Sequence, residues 1–291
     1  MTREEFQALA GQGVVLLDGA TGSNLRRAGL PVGASPETWI LEHPQVLLEL
    51  QRGYVDAGSR IIYAPTFGGN RVSLANYGLE DRTAELNAAL VRLSKMAAGD
   101  RALVAGDFTT TGRALEPVGE MTYSRLYDIY REQIAALAEA GADLLVAETM
   151  MGVEETAAAL DAARSVCDLA VLCSLSVEAD GGALFDGSAT EAVATLQEMG
   201  AAAVGVNCSV GPDQLEAVVA GMKAVAKVPV IAKPNAGMPV MTDTGEALYS
   251  MGPAAFARHM RTLVDAGAGV VGGCCGTTPA YIRQLRDALG C

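Results

Sequence analysis

The 291 residues are half hydrophobic and 19% charged, with 34 acidic against 21 basic side chains and a formal net charge of -13. That length and balance supply one large core and exclude disorder and collagen-like repetition, while so acidic a surface repels phosphate backbones and anionic lipid heads, so neither nucleic acid nor a membrane is an expected partner. No run approaches the ~18 apolar residues of a membrane span, and the opening MTREEFQALAGQG is polar and acidic, unlike a targeting segment, so a cytoplasmic protein is expected.

Along the chain, short β-branched runs alternate with Ala- and Leu-rich helical stretches. The predicted strands are VVLLDGA (14–20), RIIYAPT (60–66), ALVAGDF (102–108), DLLVAET (143–149), AVLCSLSV (170–177), AVGVNCS (203–209), VPVIAKPN (228–235) and GVVGGCC (269–275). Helices such as 42–58, 126–141 and 252–267 fall between them. Four of the helical stretches close on Gly58, Gly141, Gly200 and Gly267 just before a strand, the place where a left-handed cap turns the chain back. Eight βα units in this length predict an α/β fold, a (βα)8 TIM barrel forming a single domain over residues 1–291. The competing open, doubly wound sheet calls for a complete Gly-rich phosphate fingerprint after its first strand, and LLDGATGSNL lacks that spacing. Segments 21–40, 67–80 and 236–252 are left as long, functional loops.

In a barrel of this kind catalysis belongs at the carboxyl ends of the strands. Those ends carry Asp18, Asp107, Glu148, Asn207 and Cys208, Lys233 and Asn235, and finally Cys274 and Cys275, whereas the strand interiors are almost wholly apolar. Three cysteines thus gather at one rim. Buried fillers or a redox pair are the competing readings, but adjacent cysteines between Gly273 and Gly276 facing a third thiol favour a metal, and soft thiolates suit Zn²⁺. Three protein ligands leave a fourth place open. A thiol entering it would be held as a nucleophilic thiolate, which predicts alkyl transfer to sulfur.

The segments LLDGATGSNL, GADLLVAET, GVNCSVGPDQL, KPNAG and GGCCGTTP together resemble the homocysteine S-methyltransferase family, from about residue 13 to residue 288. The resemblance implies a zinc-bearing (βα)8 barrel with Cys208, Cys274 and Cys275 as ligands, transferring a methyl group to homocysteine thiolate to give methionine. It implies that Asp18 and Glu148 anchor the amino group of homocysteine and that Asn235 lends an oxygen to zinc when substrate is absent; the competing readings are that Asp18 caps the following turn, Glu148 pairs with a nearby Lys or Arg, and Asn235 forms a turn. Asn207 and the turn beginning at Gly19, whose backbone can form an anion nest, complete the expected acceptor-binding set. Ala34, Gly68 and Thr149 stand where the betaine-using branch carries aromatic residues, which disfavours betaine. KPNAG and GGCCGTTP most resemble the homocysteine-binding module of cobalamin-dependent methionine synthase, implying methylcobalamin on a separate corrinoid protein as donor; the free-standing branch implies a small sulfonium such as S-methylmethionine. The alternatives are a methyltransferase for another small thiol or selenol, and a non-catalytic zinc- or thiol-binding subunit of a corrinoid system.

Other residues are read as structural. Trp39 is taken as a packing anchor, His43 as a helix start and His259 as a surface residue, while Asp107 and Glu116 are the available general acids, with plain loop carboxylates as the competing reading. Cys167 and Cys173 are expected to be buried fillers and Cys291 to be exposed. Met150, Met151, Met238 and Met241 stand near the rim, where they would line a hydrophobic donor passage.

Overall fold

A computed structural model describes residues 1–208, 210–242 and 247–291, with Met241 through its backbone alone. Eight parallel strands form one sheet: β1 (Val15–Leu16), β2 (Ile61–Tyr63), β3 (Leu103–Phe108), β4 (Leu144–Met150), β5 (Val171–Leu175), β6 (Ala203–Cys208), β7 (Val230–Pro234) and β10 (Ala268–Val271). Their order runs β1, β10, β7, β6, β5, β4, β3, β2, and a bridge between Leu17 and Ile61 joins the two ends. The sheet is therefore a (βα)8 TIM barrel. The remaining two strands, β8 (Pro239–Met241) and β9 (Ala247–Tyr249), pair antiparallel beside the rim.

Two apolar layers hold the barrel. Alternate strand residues point inward, so Val15, Leu17, Ile61, Ala105, Leu144, Val146, Leu172, Ile231 and Val270 form a lumen cluster, joined by Phe6 from the N-terminal helix Arg3–Ala10. The opposite parity packs outward against the helices in the larger core. Helix Pro44–Ala57 shows how the sequence builds this layer. Pro44 at its first turn costs no backbone hydrogen bond, Leu47, Leu48, Gln51, Tyr54 and Val55 recur on one buried face, and Gly58 at φ 113° ends it in a conformation disfavoured for other residues.

The expected strands 14–20 and 269–275 are shorter in the structure, because DGA and GGCC leave the ladder to form the rim. Segment 236–252, expected as a loop, contains the β8–β9 hairpin. Trp39 is buried with Leu47 and Leu90, and its ring stacks on His43 at 4.4 Å. His43 sits between helices Pro36–Glu42 and Pro44–Ala57. His259 is half-buried rather than on the surface, and Cys167 is half-buried rather than buried because it ends a helix instead of entering β5; Cys173, within β5, is buried and Cys291 is exposed. No helix of the described residues is long and apolar enough to cross a membrane.

A polar node ties the β3 loop to the next unit. Glu155, 1% exposed in helix Val153–Val166, accepts hydrogen bonds from Thr110 Oγ1 (2.5 Å), Thr111 N (2.7 Å), Thr111 Oγ1 (2.8 Å) and Tyr130 Oη (2.7 Å). Glu155→Leu leaves those donors unsatisfied in a buried site and is expected to cost roughly 3 kcal/mol. Urea unfolding followed by circular dichroism checks this; a change below about 1 kcal/mol contradicts it.

Candidate active site

A cavity of about 350 Å³ opens at the carboxyl ends of the barrel strands and is lined by Asp18, Tyr63, Asp107, Glu148, Cys208, Lys233, Cys274 and Cys275, among others. The sulfurs converge from two strands. Cys208 ends β6 with φ 59°, a left-handed turn that swings its side chain off the strand's alternation. Cys274 and Cys275 follow β10 through Gly272 and Gly273, where a Cβ would lie 2.7 Å from Asp18 O and 2.6 Å from Thr277 Oγ1 respectively, so only glycine fits the crossing. Backbone bonds from Cys274 N to Pro234 O (2.7 Å) and from Ala236 N to Cys275 O (2.9 Å) pin the two cysteines against the end of β7.

The three Sγ atoms lie within 4.8 Å of one another. Tetrahedral Zn–S bonds of ~2.3 Å require S···S separations of about 3.8 Å, which lies within that bound, so the three sulfurs can serve as three corners of a tetrahedron. Hydrogen bonds from the Cys208 and Cys274 thiols, joined by the Tyr249 hydroxyl, pull the Cys275 thiol down to about 3, and the same contacts push Cys208 up. The cluster thus already stabilises a thiolate, the form a metal ion requires. Soft donors, convergence and an open side facing the cavity fit zinc.

Opposite the sulfurs is a charged floor. Lys233 Nζ lies 3.0 Å from Glu148 Oε1 and 3.6 Å from Asp18 Oδ1, and 4.7 Å from the centroid of the Tyr63 ring. Asp18 Oδ2 also accepts from Tyr63 N at 2.8 Å. Burial raises the Asp18 carboxyl to about 7 against the opposing pull of Lys233, and burial likewise raises Glu148. Asp107 is pushed well above the usual carboxylate range by burial and by the Glu148 charge. Burial disfavours the Lys233 cation, but the carboxylates of Glu148 and Asp18 more than offset this and hold it firmly protonated.

The structure brings Asp18, Gly19, Glu148, Cys208, Cys274 and Cys275 together around one cavity. Asn207 is not among its lining residues. Its Oδ1 accepts from Thr149 N at 2.8 Å, and its Nδ2 donates to Thr149 Oγ1 at 2.7 Å and approaches Cys274 Sγ at 3.9 Å. This clamp holds Thr149 at φ 56° and leaves little of the amide for an acceptor. Asn235 is buried just past β7 and is not among the residues that line the cavity. Asp107 is where the strand reading puts it, a buried residue near the end of β3 facing the cavity, whereas Glu116 is an exposed loop residue. The expected methionine passage is not formed by Met150, which packs in the outer core, nor by Met151 or Met238, which do not line the cavity; the side chain of Met241 lies outside the described residues. The turn at Gly19 keeps part of its backbone for itself, since Ala20 N donates to Thr277 Oγ1 at 3.0 Å.

Three residues escaped the sequence reading. Tyr249 reaches the sulfurs from the hairpin, and its ring packs so closely that a Cβ at Gly276 would lie 2.4 Å from it. Glu37 lines the cavity while accepting from Ser35 Oγ at 2.8 Å. Lys233 was placed at the rim without a role.

The homocysteine S-methyltransferase family profile matches residues 15–289. The chain is 30% identical over 295 residues to the methionine synthase of Mycobacterium tuberculosis (strain ATCC 25618 / H37Rv) and 29% over 296 residues to that of Mycobacterium leprae (strain TN). These alignments take in 96% of this chain but 25% and 24% of the relatives, so it spans about a quarter of their length. In fold it is similar to the Escherichia coli homocysteine methyltransferase MmuM, with a TM-score of 0.81 to the oxidized form and 0.80 to the metallated form, at 23% identity and with 98% of those chains covered. A looser likeness, TM-score 0.57 at 16% identity, joins it to the carboxyl transferase domain of Rhizobium etli pyruvate carboxylase, covering 49% of that chain. With the profile matched over almost its entire length, the chain belongs to the homocysteine S-methyltransferase family.

Proposed function

We propose that residues 1–291 act as one catalytic barrel that transfers a methyl group to the sulfur of homocysteine, forming methionine. The observation that carries this reading is the convergence of Cys208, Cys274 and Cys275 on one side of a cavity whose other side is lined by Asp18, Asp107 and Glu148. A thiol end and an ammonium end are thereby served within one cavity. Cys208, Cys274 and Cys275 would hold zinc, with Asn235 supplying an oxygen in the absence of acceptor; the metallated form of MmuM supports a metal in this fold. When bound, zinc supplies a Lewis acid that keeps an entering thiol deprotonated at neutral pH.

The protein's own residues do the rest. The carboxylates of Asp18 and Glu148 attract the amino group of the acceptor and thereby aim its sulfur at the cysteines. The Asn207 clamp fixes Thr149 and the neighbourhood of Cys274, and the apolar wall formed by Leu25, Ile40 and Phe67 keeps water from the approaching methyl group. One bond forms, from sulfur to methyl carbon, as the bond from methyl carbon to the donor breaks; the thiol proton has already left.

The donor is methylcobalamin on a partner corrinoid protein or a small sulfonium such as S-methylmethionine. Exposed Val32, Phe67, Tyr77, Val118, Phe185 and Val240 on the loops and hairpin that follow the barrel strands favour a protein partner, as does the match to one quarter of the methionine synthases. The test offers zinc-loaded protein homocysteine with S-methylmethionine, S-adenosylmethionine, betaine or methylcobalamin, each alone. Methionine from at least one donor is the expected result, and a sulfonium that suffices removes the need for a carrier. Failure with all of these and with a methylated corrinoid protein contradicts the reading.

A further inference from the structure

Lys233 is the one cation among the described residues lining the cavity. Its side chain leaves β7, crosses the lumen to Glu148 on β4 and Asp18 beyond β1, and is only 4% exposed. Asp18 and Glu148 pair with this single ammonium, and Asp107 and Glu37 line the same cavity. Asp107 Oδ1 is buried, faces the cavity and has no hydrogen-bond partner, and Asp18 Oδ1 has only its 3.6 Å contact with Lys233. The floor therefore presents a fixed cation and, in the same cavity, a carboxyl group with an unpaired oxygen that an entering ammonium would draw into its ionised form, together the pattern complementary to a zwitterion.

We propose that Lys233 and Asp107 read the head group of the acceptor amino acid, Lys233 taking its α-carboxylate and Asp107 joining Glu148 and Asp18 on its α-ammonium. The inference rests on the reading of the site as an amino-acid thiol site and adds two specificity-determining residues to it. Without Lys233, an entering carboxylate would find acidic side chains and, among the described residues, no cation in the cavity. Without Asp107, an entering ammonium near Lys233 would depend on the oxygens of Glu148 and Asp18 that the lysine already shares. An acceptor lacking either charge leaves one of these buried groups unpaired, the arrangement that gives strong rejection of near analogues.

The test is calorimetric titration of the full chain with three methyl sulfides that need neither metal nor turnover: L-methionine, 3-(methylthio)propylamine and 4-(methylthio)butanoate. The wild type is expected to bind L-methionine at least ~10-fold more tightly than either single-charge analogue. Lys233→Met is expected to lose the preference over the amine, and Asp107→Asn the preference over the acid, each retaining the other. No measurable binding of L-methionine, no preference in the wild type, or unchanged preferences in both variants overturns the proposal. Should Lys233→Met fail to fold, the isosteric Asp107→Asn decides: full retention of its discrimination against the acid overturns it. Head-group discrimination without methionine synthesis would sink the methyl-transfer reading alone. Methionine synthesis with unaltered discrimination in the variants would sink this one alone.

Discussion

Replacing Cys275 by Ala is expected to lower methyl transfer to homocysteine by roughly 10³-fold or more, equivalent to about 4 kcal/mol of transition-state stabilisation, with loss of bound zinc. The three sulfurs within 4.8 Å of one another are a minimal soft ligand set, and two sulfurs with an open side do not retain the ion against solvent and buffer. Cys275 is also the sulfur on which the hydrogen bonds of Cys208, Cys274 and Tyr249 converge, so its removal dismantles the prepared anion as well. Cys173→Ala is the matching control: that thiol is buried within β5, away from the cavity, and its loss should leave zinc content unchanged. Zinc by elemental analysis, beside initial rates of methionine formation, separates the two variants. Full zinc and full activity in Cys275→Ala would contradict the ligand assignment.

Glu148→Gln has the second large expected effect, and it acts on two quantities at once. Glu148 is the nearer of the two carboxylates that hold buried Lys233, at 3.0 Å against 3.6 Å for Asp18. Removing its charge leaves the lysine with one long partner in a site where both side chains are less than a tenth exposed, so stability should fall by roughly 3 kcal/mol, at the lower end of what breaking a buried pair costs because Asp18 remains. The same change withdraws a carboxylate from the acceptor's ammonium, so KM for homocysteine should rise by at least ~10-fold while zinc content stays at the wild-type level. Denaturant unfolding and steady-state kinetics on one preparation check both. An unchanged KM would remove Glu148 from the acceptor site even if stability fell.

Much of the rim was legible because strand alternation is strict. Ile61, Ala105, Val146 and Ile231 face the lumen, and the residues two further on are Tyr63, Asp107, Glu148 and Lys233, the groups that make the floor. The same parity covers Asp107, which the run 102–108 places at the end of β3; what periodicity does not show is that its carboxyl is buried against Glu148 and Lys233. Cys208 could be placed at the rim, but its left-handed φ depends on how the chain leaves β6 and does not follow from alternation. The work done by Asn207 depends on Thr149, 58 residues away, and Tyr249 reaches Cys275 only because a hairpin forms where a loop was expected. Pairings at such separations are set by tertiary packing, to which local periodicity is blind.

The central claim is that the acceptor sulfur completes the set begun by Cys208, Cys274 and Cys275. X-ray absorption at the zinc edge, taken on the zinc-loaded protein before and after addition of L-homocysteine, tests it most directly. The expected result is three sulfur neighbours at about 2.3 Å with one lighter ligand before addition, and four sulfurs at that distance afterwards. A zinc shell that keeps three sulfurs at saturating homocysteine, or one that never contains three, would contradict the account.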